Sequence, residues 1–158
     1  MARDAISRQY DVQKNSILLT CEGDKGSYRP GLITFEPKKG RSLDLTKIRE
    51  SIAVTRLSGG TAMSVDYFEI TVLGAVEFRD KEPKLTVSGT GQQFTLTESP
   101  AAKGKLQKLR DALSRGDKVI SVTGRVQGWT GRFPDVLKAQ ANAPAIQTLL
   151  LVDFELAK

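Results

Sequence analysis

The sequence predicts an α+β fold: a small strand–strand–helix unit joined to a strand-rich half that carries one helix. Three observations point there. Residues 68–78 alternate apolar and polar positions, as a half-buried strand does. Leu45, Ile48 and Ile52 recur at i, i+3 and i+7, one buried stripe of a helix. Leu106, Leu109 and Leu113 repeat that helical spacing between two further alternating segments. With 158 residues, 39% hydrophobic and 27% charged, the chain suits one larger domain or two small ones.

Taken in order, residues 1–10 read as an arm or short helix. A strand begins within Val12–Thr20, with Ile17, Leu18 and Leu19 as its apolar part. A glycine-rich connection from Cys21 to Gly31 leads to a second short strand, Leu32–Phe35, stopped by Pro37. Lys38, Lys39, Gly40 and Arg41 form a basic turn before the first clear helix, with Ser42 and Asp44 as N-cap candidates. Ser58-Gly59-Gly60 is the expected stop, because glycine accepts the left-handed conformation past a helix end.

In the second half, Phe68, Ile70, Val72, Val76 and Phe78 share the inward parity, and Glu69, Thr71, Leu73 and Glu77 the outward one. Leu85 and Val87 restart the alternation after a turn at 80–83. Gly89-Thr90-Gly91 permits a bend or a bulge, with Phe94 and Leu96 continuing on the opposite parity, the change a bulge would produce. Ser99-Pro100 is a cap followed by a first-turn proline, and Gly116 sits where a C-terminal glycine belongs. Val119–Gly128 is expected to place Ile120, Val122, Gly124 and Val126 on one face. Residues 130–148 form a long connection. In the last strand Val152, Phe154 and Leu156 are expected inward, which turns Leu149 and Leu151 outward with Leu73. The expected units are 1–64 and 65–158. The boundary is soft, so the two can share one core.

Composition excludes several chemistries. The chain has no histidine and one cysteine, Cys21. Zinc sites and soft copper sites need more Cys, His or Met than that, so no metal and no cofactor is expected. Triads built on an imidazole are equally excluded. A lone cysteine forms no internal disulfide. The first eight residues hold no apolar signal core, and no run of about 18 apolar residues occurs. The expectation is a soluble protein, cytoplasmic by default and exported only if a signal has been trimmed.

The net charge of +6 divides evenly: residues 1–66 hold 11 basic and 8 acidic side chains, and residues 67–158 hold 13 and 10. An even spread is first a solvated surface and only secondly a hint of an anionic partner.

The order of elements from residue 67, with one helix between the third and fourth strands, resembles the oligonucleotide/oligosaccharide-binding (OB) fold, a five-stranded barrel. The stretch from Gly116 to Val126, a Gly-Asp turn leading into a Val-rich strand with Thr-Gly-Arg-Val, is similar to the strand after that helix in many bacterial OB domains. The resemblance implies a binding surface rather than a reaction. The Leu32–Phe35 strand, the 45–56 helix and the strand after it resemble the second half of a ferredoxin-like heavy-metal-associated domain. That family holds its metal with a Cys-x-x-Cys pair. Thr20-Cys21-Glu22-Gly23-Asp24 lacks the second cysteine, so no metal role is carried over.

The foremost site candidates are Arg125, Trp129, Arg132 and Phe133, which interleave the only tryptophan with two arginines in the loop that would flank an OB cleft. The rings suit stacking and the guanidinium groups suit phosphate or carboxylate; the alternative is that both rings plug a barrel end. Lys38, Lys39 and Arg41 before a helix N-terminus form a possible anion site, with a solvated turn as the alternative. Arg115-Gly116-Asp117 is turn chemistry rather than an adhesion signal. Cys21 has only Lys25 nearby to acidify it.

The expected function is a non-catalytic binding or assembly module that contacts a protein partner through the barrel and the 128–148 loop, with Leu73, Leu149 and Leu151 as an apolar face. The alternative is a single-stranded nucleic-acid-binding protein. Against it, Glu69, Glu77, Asp153 and Glu155 lie outward, where a phosphate backbone would run. A third reading is a hydrolase acting through carboxylate or lysine, without a recognisable carboxylate pair to support it.

Overall fold

Asp44 begins the first long helix as its sequence requires. Its Oδ1 accepts a hydrogen bond from the backbone N–H of Lys47 at 3.0 Å, satisfying one of the donors a helix start leaves open. In the computed structural model this helix, α2, runs Leu45–Ala53 and buries Leu45, Ile48 and Ile52. The structure describes residues 2–21, 31–54, 64–65, 67–79, 82–126, 131–132 and 146–157. The proposed stop at Ser58–Gly60 lies outside them; α2 has already ended, at Val54. The chain separates into two compact units, Met1–Met63 and Ser64–Lys158.

In the first unit, helix α1 (Ala2–Ser7) packs on α2 and buries Ala5 and Ile6. Gln9 Nε2 donates to Ser51 Oγ at 2.6 Å. The expected strand from Val12 is interrupted by a 3-10 turn, Lys14–Ser16, so β1 spans only Leu18–Cys21. It pairs antiparallel with β2 (Gly31–Thr34). Val12 makes an isolated bridge to Pro37 and is fully buried.

The second unit is a closed five-stranded barrel. Its strands are β4 (Glu69–Arg79), β5 (Glu82–Val87), β6 (Gln93–Glu98), β7 (Val119–Val126) and β9 (Thr148–Leu156), in the order β4-β5-β6-β9-β7. All neighbours are antiparallel except β6 and β9. A short pair, β3 (Ser64–Val65) with β8 (Gly131–Arg132), stands apart from it. Closure leaves no barrel edge for another chain to extend.

The stretch Gly89–Gly91 is a hairpin turn, not a bulge in one continuing strand. Val87 N–H donates to Gln92 O at 2.8 Å, and Gly91 N–H to Val87 O at 2.9 Å. Both glycines have positive φ, 78° and 69°, which the reversal requires. Leu85 and Phe94 then lie opposite one another and both are buried. The change of parity that suggests a bulge in the sequence is that of two facing strands.

Real bulges lie elsewhere and correct two expectations. Between β7 and β9 the register slips between Val119 and Ser121 and again between Thr123 and Gly124. Ile120 is the extra residue on β7, and Val152 the extra one on β9. Ile120 is therefore exposed, where it was expected inward, and Val119 takes its place in the core. Val152 absorbs the parity change in β9, so Leu149 and Leu151 point inward and are fully buried rather than outward.

Ser99 accepts from Ala101 N–H at 3.3 Å, but it caps a 3-10 turn, Pro100–Ala102. Gly104, at φ 80°, resets the chain before α3 (Lys105–Ser114) begins. Helix α3 buries Leu109 and Ala112 and packs on β9 and β6. The core of this unit is filled by Phe94, Leu85, Leu96, Leu109, Leu149 and Leu151. Gly74 is required by packing: a Cβ there would sit 2.4 Å from the carbonyl oxygen of Thr86.

Candidate functional site

Strand pairing sets out the barrel's outer face in rows. In the β4–β7–β9 register Glu69, Arg125 and Leu150 share one row; Thr71, Thr123 and Asp153 share the next; Leu73, Ser121 and Glu155 share the third. Side chains opposite each other in a ladder lie close enough to pair. Arg125 Nε donates to Glu69 Oε2 at 3.0 Å, and the guanidinium lies 4.3 Å from the centre of the Tyr67 ring. Thr71 and Thr123 hydroxyls are 2.8 Å apart, within hydrogen-bonding distance.

Of the four loop candidates, Arg125 is thus held by a carboxylate and a ring of its own unit. Arg132 contributes its backbone to β8, opposite Ser64. Trp129 and Phe133 lie outside the described residues, as do 134–145 of the long connection.

The apolar part of this face is smaller than expected but real. Leu73 is 67% exposed and Ile120 is 46% exposed, and Ser121, which follows Ile120, sits directly opposite Leu73. Leu149 and Leu151 are withdrawn from it by the Val152 bulge. Ile120 escaped sequence reasoning, because its exposure depends on a register slip between two strands. Glu155 lies in the row of Leu73 and Ser121, and Glu77 four residues further along β4, opposite Lys84; both are exposed. Asp153 pairs with Lys105 of α3. Its hydrogen bond with that ammonium is the main cause holding the carboxyl below the usual carboxylate range, against a smaller upward push from burial.

In the first unit, the possible anion site at Lys38, Lys39 and Arg41 does not use the helix N-terminus. Asp44 already occupies it, accepting from Lys47 N–H and lying 3.6 Å from the Lys47 ammonium. Lys38 and Arg41 instead turn to Tyr10, at 3.9 Å and 5.7 Å from the ring centre.

Among the described residues no group of three His, Cys, Asp or Glu could hold a metal ion, and no helix is long and apolar enough to cross a membrane. No family model, no curated protein and no solved structure matches this chain.

Proposed function

We propose that the chain is a non-catalytic binding or assembly module, and that its Ser64–Lys158 unit is an OB-like barrel contacting a protein partner. The strand order, the parallel β6–β9 pair and the helix between β6 and β7 support the OB-like reading. The exposed Leu73 and Ile120, on the neighbouring strands β4 and β7, carry the functional one. Large apolar side chains on a barrel's outer face are offset when a partner covers them. The exposed carboxylates of Glu77 and Glu155 on the same outer face favour a partner with an apolar anchor and a basic rim. The same carboxylates, with Asp153, disfavour a nucleic-acid backbone along this face. The 128–148 loop, with Trp129, Arg132 and Phe133, is proposed as a second part of the contact on its residue types alone, the only tryptophan and a phenylalanine beside arginines.

The test is a Leu73→Asp, Ile120→Lys double variant. Both positions are exposed, so the melting temperature should shift by no more than about 2 °C. A partner recovered with the wild-type chain should bind the variant at least about tenfold more weakly. Undiminished binding by a well-folded variant would remove this face as the contact.

A further inference from the structure

We infer that the first unit carries a second binding face, centred on Tyr10, Lys38 and Arg41, that takes a single-stranded nucleic acid. Tyr10 is 70% exposed, the largest exposed ring described in this unit. Lys38 Nζ stands 3.9 Å from its centre and Arg41 5.7 Å. The cluster is fixed by backbone hydrogen bonds between two segments distant in sequence. Gln13 N–H donates to Glu36 O at 2.8 Å and Lys38 N–H to Asp11 O at 2.7 Å, while Arg41 N–H closes a local turn on Lys38 O at 3.0 Å. The Val12–Pro37 bridge lies between them, and Gly40, at φ 71°, turns the chain so that Arg41 comes back toward the ring. The backbone that carries the ring and its cations is therefore held in place before any ligand arrives.

Segments 8–14 and 36–41 together carry five cations and two carboxylates. An exposed ring among cations is the arrangement that binds unpaired strands: a base stacks on the ring, displacing the Lys38 ammonium from its face, and the ammonium and guanidinium groups meet the neighbouring phosphates. A duplex offers no free base face to the ring. An acidic peptide would use the charges and leave the tyrosine idle; an anionic membrane interface could take up the ring as well, and a comparison with vesicles separates it. The inference is independent of the protein-contact reading, because it uses the other unit and none of the same residues. Together they describe an adaptor that joins a protein to a strand.

The experiment is a fluorescence-anisotropy titration of the full chain with a labelled oligodeoxythymidine about 20 nucleotides long. Binding should weaken on raising salt from about 50 to 200 mM, with a log–log slope near −2 for three phosphates neutralised. Tyr10→Ala should weaken it about tenfold, and Tyr10→Phe should restore it, since the ring and not the hydroxyl is used. Lys38→Ala should flatten the slope by about 0.7. The Leu73→Asp, Ile120→Lys variant should bind the oligonucleotide as the wild type does, so that failure of one reading leaves the other standing. No binding at the lowest salt overturns the inference. So does binding that Tyr10→Ala leaves unchanged, or equal affinity for polyglutamate or for vesicles of anionic phospholipid.

Discussion

Glu69 and Arg125 face each other across β4 and β7, joined at 3.0 Å, while the same guanidinium covers the Tyr67 ring at 4.3 Å. A side chain that sequence alone offers as a ligand contact is thereby committed within its own sheet. Both partners are about one-third exposed, 33% for Arg125 and 31% for Glu69, so solvent screens the pair. A double-mutant cycle with Glu69→Gln and Arg125→Met should return a coupling of about 0.5 kcal/mol, shrinking as salt is raised. Urea unfolding of the four proteins measures it. A coupling above about 2 kcal/mol would mean that the pair sits in a far less polar setting than its exposure indicates.

Which features the sequence discloses follows from how local their causes are. The α2 stripe of Leu45, Ile48 and Ile52 and its Asp44 cap depend on residues within three turns of one another, and both are legible. The outward Glu69, Thr71, Leu73 and Glu77 of β4 are equally legible, because β4 pairs without a slip. Ile120, Leu149 and Leu151 are not, because their facing is decided by register between strands far apart in sequence. The Tyr10 cluster is hidden for the same reason: Lys38 reaches the ring only through the pairing of segments 11–13 and 36–38. The turn at 88–92 shows the converse error. One chain changing parity and two strands facing each other leave the same mark on a sequence.

The Asp153–Lys105 pair gives a pH dependence of known sign. The ammonium holds the Asp153 carboxyl below its ordinary 3.8. A folded-state value below the unfolded one contributes stability that is fully present above the unfolded value and lost as pH falls through the folded one. Lys105→Met should raise the Asp153 midpoint toward 3.8, as read from its carboxyl resonance in an NMR titration. Asp153 is 60% exposed, so the stability lost at neutral pH should be only about 0.5 kcal/mol or less. A midpoint that stays low in the variant would assign the shift to the Phe154 backbone hydrogen bond instead.

The two bulges make a sharper prediction about deletions. Val152 is the extra residue of β9, so removing it leaves Leu149, Leu151, Phe154 and Leu156 on their present side and joins them in regular alternation. What is lost is local twist that helps a small barrel close, a cost of about 1–2 kcal/mol. Removing Thr123 from β7 is different. The strand can absorb that loss only by taking up the Ile120 bulge, which turns Ser121, already buried, to the inner face and Val122, now fully buried, to the outer one. Losing the burial of Val122 should cost about 2–3 kcal/mol, on top of the lost twist. Urea unfolding should therefore place the Val152 deletion between the wild type and the Thr123 deletion. The reverse order would show that closure of the barrel depends on the bulge itself more than on which side chains it turns inward.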